Sequence, residues 1–341
     1  MLHGYKIHQD KLGENAKLGL CFYLLDREGI VIKEDGFNEN VKMLMASTSK
    51  VAIALLVLKR IYADNQFELK TKITINNNEF SPGPPSNTLD RYFFIPRTIT
   101  LSKTVDELLS LMLSESDNTA TDVLLNLVGG SSAVNDLMQE LHIDGYNLSR
   151  SFKQLLADYS EVSVEKHFTN ILKILYKSFS VYSMRPNEEN FFLSERDTCT
   201  AKCMADLLKL IIQSQKGNSW LGKAARTICE KMEHCKTGPN MIKKGISQCD
   251  LPYDQFGHKT GGLGGIRNDA AFIHLKSGEW AILSIYTCQS PLLLKERDQI
   301  IADLTTSILK KHLPLLENKV QKHASLKRSN KRLCPRFCNI L

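Results

Sequence analysis

Tryptophan is scarce, with 2 among 341 residues, and no apolar run is long. The longest, "VAIALLVL" at 51–58, falls well short of the roughly 20 apolar residues that a membrane-spanning helix needs. The opening "MLHGYKIHQDKLGENAKLG" lacks the apolar stretch of a secretory signal. A cytoplasmic location is therefore expected, with non-classical export as the other route. Acidic residues are missing after Glu317, where Lys319, Lys322, Lys327, Arg328, Lys331, Arg332 and Arg336 follow one another. The other 37 of the 44 basic residues balance the 37 acidic ones. The net charge of +7 thus belongs to a basic tail. The plain reading is a solvated end, and the functional one is contact with an acidic surface. No internal repeat is visible. The nine cysteines are scattered in a way that suits free thiols in a reducing compartment, not a small disulfide scaffold. "CPRFC" in the tail offers too few ligands to define a metal site.

What is present reads as one α/β unit. Residues 18–26 and 29–35 read as two strands joined by a tight turn, and 71–80 is β-like before the loop "SPGPPSN". Helices are expected over 102–113 from a Ser102 N-cap, over 118–130 and over 131–143. Further helices are expected near 164–180, 200–214 and 219–234, then strands at 255–260, 269–276 and 279–288. A last amphipathic helix is expected at about 293–312. Strands at both ends with helices between them predict one sheet closed by the two termini.

Three short motifs carry chemistry. Ser47-Thr48-Ser49-Lys50 is an S-x-x-K at the start of the most apolar helix. Ser163-Lys166 and Ser307-Lys310 match the same pattern, so the setting distinguishes it. A serine there gains from the helix N-terminal dipole, and the lysine returns to its face one turn later. A lysine kept neutral by burial or a nearby cation could take the serine proton. Ser116-Asp117-Asn118 lies at a helix junction, where all three residue types also serve as caps. Lys259-Thr260-Gly261 ends one strand before the next, in a segment that also reads as a Gly-rich hairpin. Three such motifs in this order form the set used by penicillin-recognising serine enzymes.

The sequence resembles the class A serine β-lactamases, within the wider group of β-lactamases and penicillin-binding proteins. Besides the three motifs, the likeness rests on "MLSESDNTATDVLLNLVGG", on "SERDTCTAKCMADLLKLI" with Ala201 where proline is usual, on "HCKTGPNMIKKGI" and on "GGIRNDAAFI". It covers roughly 16–315, leaving an N-terminal extension at 1–15 and the basic tail at 316–341. It implies an α+β sandwich, with an antiparallel sheet of N- and C-terminal strands and an all-helical subdomain over about 65–250, no metal and no cofactor, a small acyl substrate, no nucleic acid partner and a monomer. Ser47 would be the nucleophile, Lys50 its base or relay, Ser116 the proton donor to the leaving nitrogen, and Lys259 a positive charge beside it. Asn118 would bind a substrate amide, Thr260 and Arg267 a carboxylate, and the N–H groups of Ser47 and Gly262, beyond Gly261, an oxyanion. Asp117 is expected to brace its loop.

One departure stands out. The family places a deacylating glutamate in an E-x-x-x-N loop shortly before R-D-T. Here the stretch from Arg150 to Arg196 is longer, with an expected extra helix at 165–179, and neither Glu161, Glu165, Glu188 nor Glu189 has the spacing. The expected activity is opening of a β-lactam amide with slow release of the acyl group. An esterase or peptidase on another acyl substrate, and a non-catalytic binding protein on the same fold, are the alternatives.

Overall fold

The computed structural model describes residues 2–95, 97–163, 191 and 195–313. The helix expected at 164–180 and the basic tail lie outside them. Nine strands are named in chain order: β1 Lys17–Leu25, β2 Val31–Phe37, β3 Met43–Leu44, β4 Lys72–Ile75, β5 Leu101–Thr104, β6 Thr198–Cys199, β7 Tyr253–Leu263, β8 Ile266–Leu275 and β9 Trp280–Cys288. The helices are α1 Leu2–Lys11, α2 Lys50–Tyr62, α3 Val105–Ser110, α4 Asn118–Leu127, α5 Gly130–Glu140, α6 Phe152–Ser160, α7 Ala201–Ser214, α8 Trp220–Glu233, α9 Ile242–Ser247 and α10 Leu294–His312.

The main sheet has the order β2-β1-β9-β8-β7, with every pairing antiparallel. Both of its faces are covered, so its inner strands are buried along most of their length. After Lys17 every residue of β1 is buried. The pleat divides them by parity. Leu18, Leu20, Phe22 and Leu24 meet α1, α9 and α10 on one side, while Cys21, Tyr23 and Leu25 join the helical side. Edge strand β2 alternates in burial instead.

On the helical side α2 is buried on every face from Lys50 to Leu58, as a helix enclosed by other helices must be. Its entry is a 3₁₀ turn, Ala46–Ser49, and Ala46 sits in the left-handed region at φ 46°. Helix α3 begins later than the sequence suggested. Ser102 lies in β5, and Thr104 is the cap: Thr104 Oγ1 accepts from Glu107 N at 3.2 Å and Glu107 Oε2 from Thr104 N at 2.8 Å. Beyond Ser110 the chain loosens into a π-type turn, Leu111–Glu115, and stops at Ser116 with φ 63°. Ala201 occupies the first position of α7, behind its cap Thr200. A first-turn N–H has no helical partner, which is why alanine replaces proline there without loss. No helix among the described residues is long and apolar enough to cross a membrane.

Candidate active site

A cleft of about 400 Å³ opens between the sheet edge and the helical part, lined by Ser47, Ser116, Asn118, Phe152, Leu155, Leu156, Thr237, Thr260, Gly262, Arg267 and Arg297 among others. Such a volume suits a small molecule. The three motifs reach it from places far apart in sequence: the turn before α2, the end of the π-type turn, and β7; α6 and the residues Thr237, Arg267 and Arg297 complete the walls.

β7 reaches the α2 turn because Gly261 has no side chain. A Cβ there would lie 2.6 Å from the Met45 carbonyl oxygen and 3.2 Å from Ser47 N. Gly262, the next residue, lines the cleft beside Ser47. Asn268 on β8 secures the same turn, donating to the carbonyls of Leu44 at 2.8 Å and Met45 at 3.1 Å. Thr48 Oγ1 and Tyr286 OH share a 2.5 Å contact beneath.

Two lysines, both fully buried, converge on one hydroxyl. Lys259 Nζ donates to Ser116 Oγ at 2.9 Å and to the Thr260 carbonyl at 3.0 Å. Lys50 Nζ donates to Ser116 Oγ at 3.3 Å, to the Ser116 carbonyl at 2.7 Å and to Asn118 Oδ1 at 2.8 Å. Burial and the charge of Lys259 press the Lys50 pKa down to about 7, against the pull of Asp90, Asp117 and Asp122. Burial lowers Lys259 to about 8. Both ammonium groups are thus poised to lose a proton near neutrality.

The Asn118 amide is held at both ends. Its Oδ1 holds Lys50 and its Nδ2 donates to the Pro82 carbonyl at 2.9 Å. Asp117 braces the junction: Oδ1 caps α4 through Ala120 N at 2.8 Å and Oδ2 takes Leu89 N at 2.7 Å. Asp90 was not singled out in the sequence. It opens a short 3₁₀ turn, Asp90–Phe94, and its carboxylate accepts from Asn118 N at 2.9 Å and Thr119 N at 2.8 Å. Burial raises its pKa, and the Asp117 charge adds to that.

Arg267 reaches the cleft but is held by Asp298, through Nε at 2.5 Å and Nη2 at 3.1 Å. Arg297 stands beside it, donating to the Gly264 carbonyl at 2.6 Å. The Thr260 hydroxyl meets that of Thr237 at 2.6 Å.

Phe152 is the most consequential residue that sequence reasoning passed over. Its ring centroid lies 4.4 Å from Lys50 Nζ, and it lines the cleft with Leu155 and Leu156. The segment is anchored by Arg150, whose Nε meets Asp197 Oδ2 at 2.5 Å, and Ser149 N donates to Asp197 Oδ1 at 2.8 Å. Asp122 takes the N–H groups of Phe152 and Lys153 at 2.7 and 2.8 Å and the Ser81 hydroxyl at 2.7 Å. Among the described residues lining the cleft the one carboxylate is Glu115, tied to Lys236 at 2.9 Å and to Thr88 Oγ1 at 2.8 Å. Glu161 ends α6, exposed, with φ 55°. Glu165, Glu188 and Glu189 lie outside the described residues.

Comparison with known proteins gives one answer. The profile of the β-lactamase enzyme family matches residues 14–312. β-Lactamase VEB-1 of Pseudomonas aeruginosa is 23% identical over 306 residues, which is 88% of this chain and 86% of that one. A β-lactamase of Bacteroides uniformis is 32% identical over 140 residues, covering 41% of this chain and 44% of that protein. Among solved structures, a variant of the reconstructed last common ancestor of Gram-negative class A β-lactamases superposes with a TM-score of 0.68 at 21% identity, covering 92% of this chain and 98% of its own. A mutant of the chromosome-encoded β-lactamase of Vibrio parahaemolyticus gives the same TM-score at 16% identity, covering 92% of this chain and 100% of its own.

Proposed function

The chain belongs to the β-lactamase enzyme family, and from that premise we propose that it opens the β-lactam amide through an acyl-enzyme on Ser47 and releases the acyl group slowly. The observation that carries this reading is the meeting of two buried lysines at the Ser116 hydroxyl, in the cleft that Ser47 lines.

Neutral Lys50 is the base. A neutral amine has two N–H groups, and its two shortest acceptors are the Ser116 carbonyl and Asn118 Oδ1. The lone pair is then left for the cleft. Ser47 Oγ attacks the amide carbonyl carbon as Lys50 takes its proton, and a C–O bond forms. The oxyanion is received by the N–H groups of Ser47 and Gly262. Lys50 returns the proton through the Ser116 hydroxyl to the amide nitrogen, and the C–N bond breaks. Lys259, hydrogen-bonded to the same hydroxyl, supplies positive charge at the leaving side. The substrate carboxylate is received by Thr260 and Arg267, a pairing that requires Arg267 to share its fork with Asp298.

Slow release is supported, among the described residues, by what flanks Lys50. On that side the wall is Phe152, Leu155 and Leu156, which cannot accept a proton from water. Glu115 is spent on Thr88 and Lys236. A hydrolytic water without a positioned base forfeits roughly 10²–10⁴ in rate. Incubation with benzylpenicillin, followed by intact-mass and peptide mass spectrometry, tests the reading. A long-lived adduct on Ser47, absent from Ser47→Ala, is expected. An adduct that persists in Ser47→Ala would remove Ser47 from the mechanism, and rapid turnover without an adduct would remove the slow step.

A further inference from the structure

The turn that carries Ser47 is held from beneath by a hydrogen-bond chain that starts on the sheet. Its strained point is Ala46, in the left-handed region at φ 46°, which a Cβ disfavours. The peptide plane between Ala46 and Ser47 has the Ser47 N–H at one end and the Ala46 carbonyl at the other, and Ser49 Oγ donates to that carbonyl at 2.9 Å. The plane before it carries the Met45 carbonyl. That oxygen accepts from Thr48 Oγ1 at 2.8 Å, from Asn268 Nδ2 at 3.1 Å and from Thr48 N at 3.3 Å.

Counting protons gives the direction of the remaining bonds. A hydroxyl has one proton to give. Thr48 gives its proton to the Met45 carbonyl, so in the 2.5 Å contact between Thr48 Oγ1 and Tyr286 OH the phenol is the donor. The phenol oxygen in turn accepts from Cys199 Sγ at 3.3 Å. The chain therefore runs one way, from the Cys199 thiol through Tyr286 and Thr48 to the Met45 carbonyl. All three side chains are fully buried. In such surroundings each bond polarises and strengthens the next. Burial also holds the Tyr286 phenol well above its ordinary pKa, so its proton stays in place. Tyr286 belongs to β9, which is flanked by β1 and β8, so the chain is anchored in the middle of the sheet.

We propose that Tyr286 is a positioning residue for acylation: through Thr48 and the Met45 carbonyl it holds the strained Ala46 in place, and so aims the Ser47 N–H at the oxyanion. Tyr286 touches neither the substrate nor the reacting atoms. What the aimed N–H does rests on the acyl-enzyme reading, whereas the hold on the turn does not.

Tyr286→Phe keeps the ring and removes the one proton that reaches Thr48. Acylation of Ser47 by p-nitrophenyl acetate, in which Oγ bonds to the acyl carbon and p-nitrophenolate leaves, is followed as a burst of colour. The limiting rate is expected to fall about tenfold, since losing a whole oxyanion donor costs roughly 10²–10³ and here one is only misaimed. The ester concentration at half the limiting rate is expected to stay within about twofold, because the lost interaction belongs to the transition state. Phenylboronic acid adds through boron to Ser47 Oγ and sets an oxygen where the oxyanion forms, so its affinity should fall by the same factor as the rate. A boronate affinity that does not follow the rate overturns the aim at the oxyanion. Thr48→Ser keeps the hydroxyl and is expected to keep the rate, whereas Thr48→Val loses it. Adding Tyr286→Phe to Thr48→Val should change the rate by no more than about twofold, because both break one chain. A second full fall in the double variant, or an unchanged rate in Tyr286→Phe, overturns the proposal. The backbone amide resonance of Ser47 reads the turn without chemistry. It is expected to shift in Tyr286→Phe, and to lie at the same place in the double variant as in Thr48→Val. If neither ester nor boronate reacts with Ser47, the acyl-enzyme reading fails and this resonance alone decides. A Ser47 amide that stays put in Tyr286→Phe overturns the hold on the turn.

Discussion

Replacing Lys259 by methionine, which keeps the bulk and removes the charge, should move the pH at which Lys50 becomes an effective base. Both nitrogens contact Ser116 Oγ, at 3.3 and 2.9 Å, and so lie within about 6 Å of each other. Unit charges at that separation repel by about 0.7 kcal/mol in water and about 2.8 kcal/mol at an effective dielectric constant of 20. That corresponds to between roughly half and two pKa units. Burial, the larger cause of the depressed Lys50 value, remains in Lys259→Met. The midpoint is therefore expected near 7 in the wild type and about one unit higher in the variant, still short of an ordinary lysine. The sign follows from the base being the neutral amine: the acylation rate falls as pH drops through the midpoint, to about a tenth at pH 6 in the wild type. The assay is stopped-flow acylation of Ser47 by an uncharged p-nitrophenyl ester, chosen because a neutral ester makes no use of Lys259 as a carboxylate contact. A flat wild-type profile between pH 6 and 8 would refute the assignment of Lys50 as base. A midpoint that stays put or falls in Lys259→Met would refute the coupling of the two lysines.

Gly261→Ala should force β7 away from the Ser47 turn, because the new methyl meets the Met45 carbonyl at 2.6 Å. Removing one oxyanion donor in this way costs about 10²–10³ in acylation rate by the same ester assay. Asp197→Ala removes one of the two carboxylates that pair with buried Arg150, leaving Asp158, and should destabilise the fold in a urea titration by less than the roughly 3–5 kcal/mol of a buried charge left with no partner. A chain ended at Asn318 is expected to keep the melting temperature and acylation rate of the full chain; a fall of more than a few degrees in calorimetry would mean that the tail docks on the body.

The sheet was legible because β1, β9 and the second half of β8 are apolar runs of ordinary strand length, α2 because it is a long apolar stretch, and α4 and α7 because their apolar positions repeat with the helical period. Ser47, Ser116 and Lys259 were legible as motifs. Their neighbours were not, since nothing local marks them. Asp90 caps a helix that begins 28 residues later. Phe152 looks like any core aromatic until α6 lays its ring on Lys50. Thr237 and Thr260 come together only when β7 packs against the loop after α8. Helix α1 escaped notice as well: its apolar residues are few and spread around the helix. Even so, Tyr5 and the following Leu12 join the core beneath the sheet.

The pairing of β1 with β9 has a consequence in time. Leu25 lies opposite Trp280, and Lys17 opposite Cys288. The first long strand of the chain thus waits for one of the last before it has a neighbour on that side. At a synthesis rate of roughly 5–20 residues per second, the interval is on the order of 13–50 seconds. During it the apolar face of β1 and the turn carrying Ser47 exist without β7, β8 and β9. A ribosome stalled before residue 280 would therefore hold a chain that cannot be acylated and has an unpaired, aggregation-prone strand. Competence should arrive in a single late step, when the terminal strands emerge and the sheet closes.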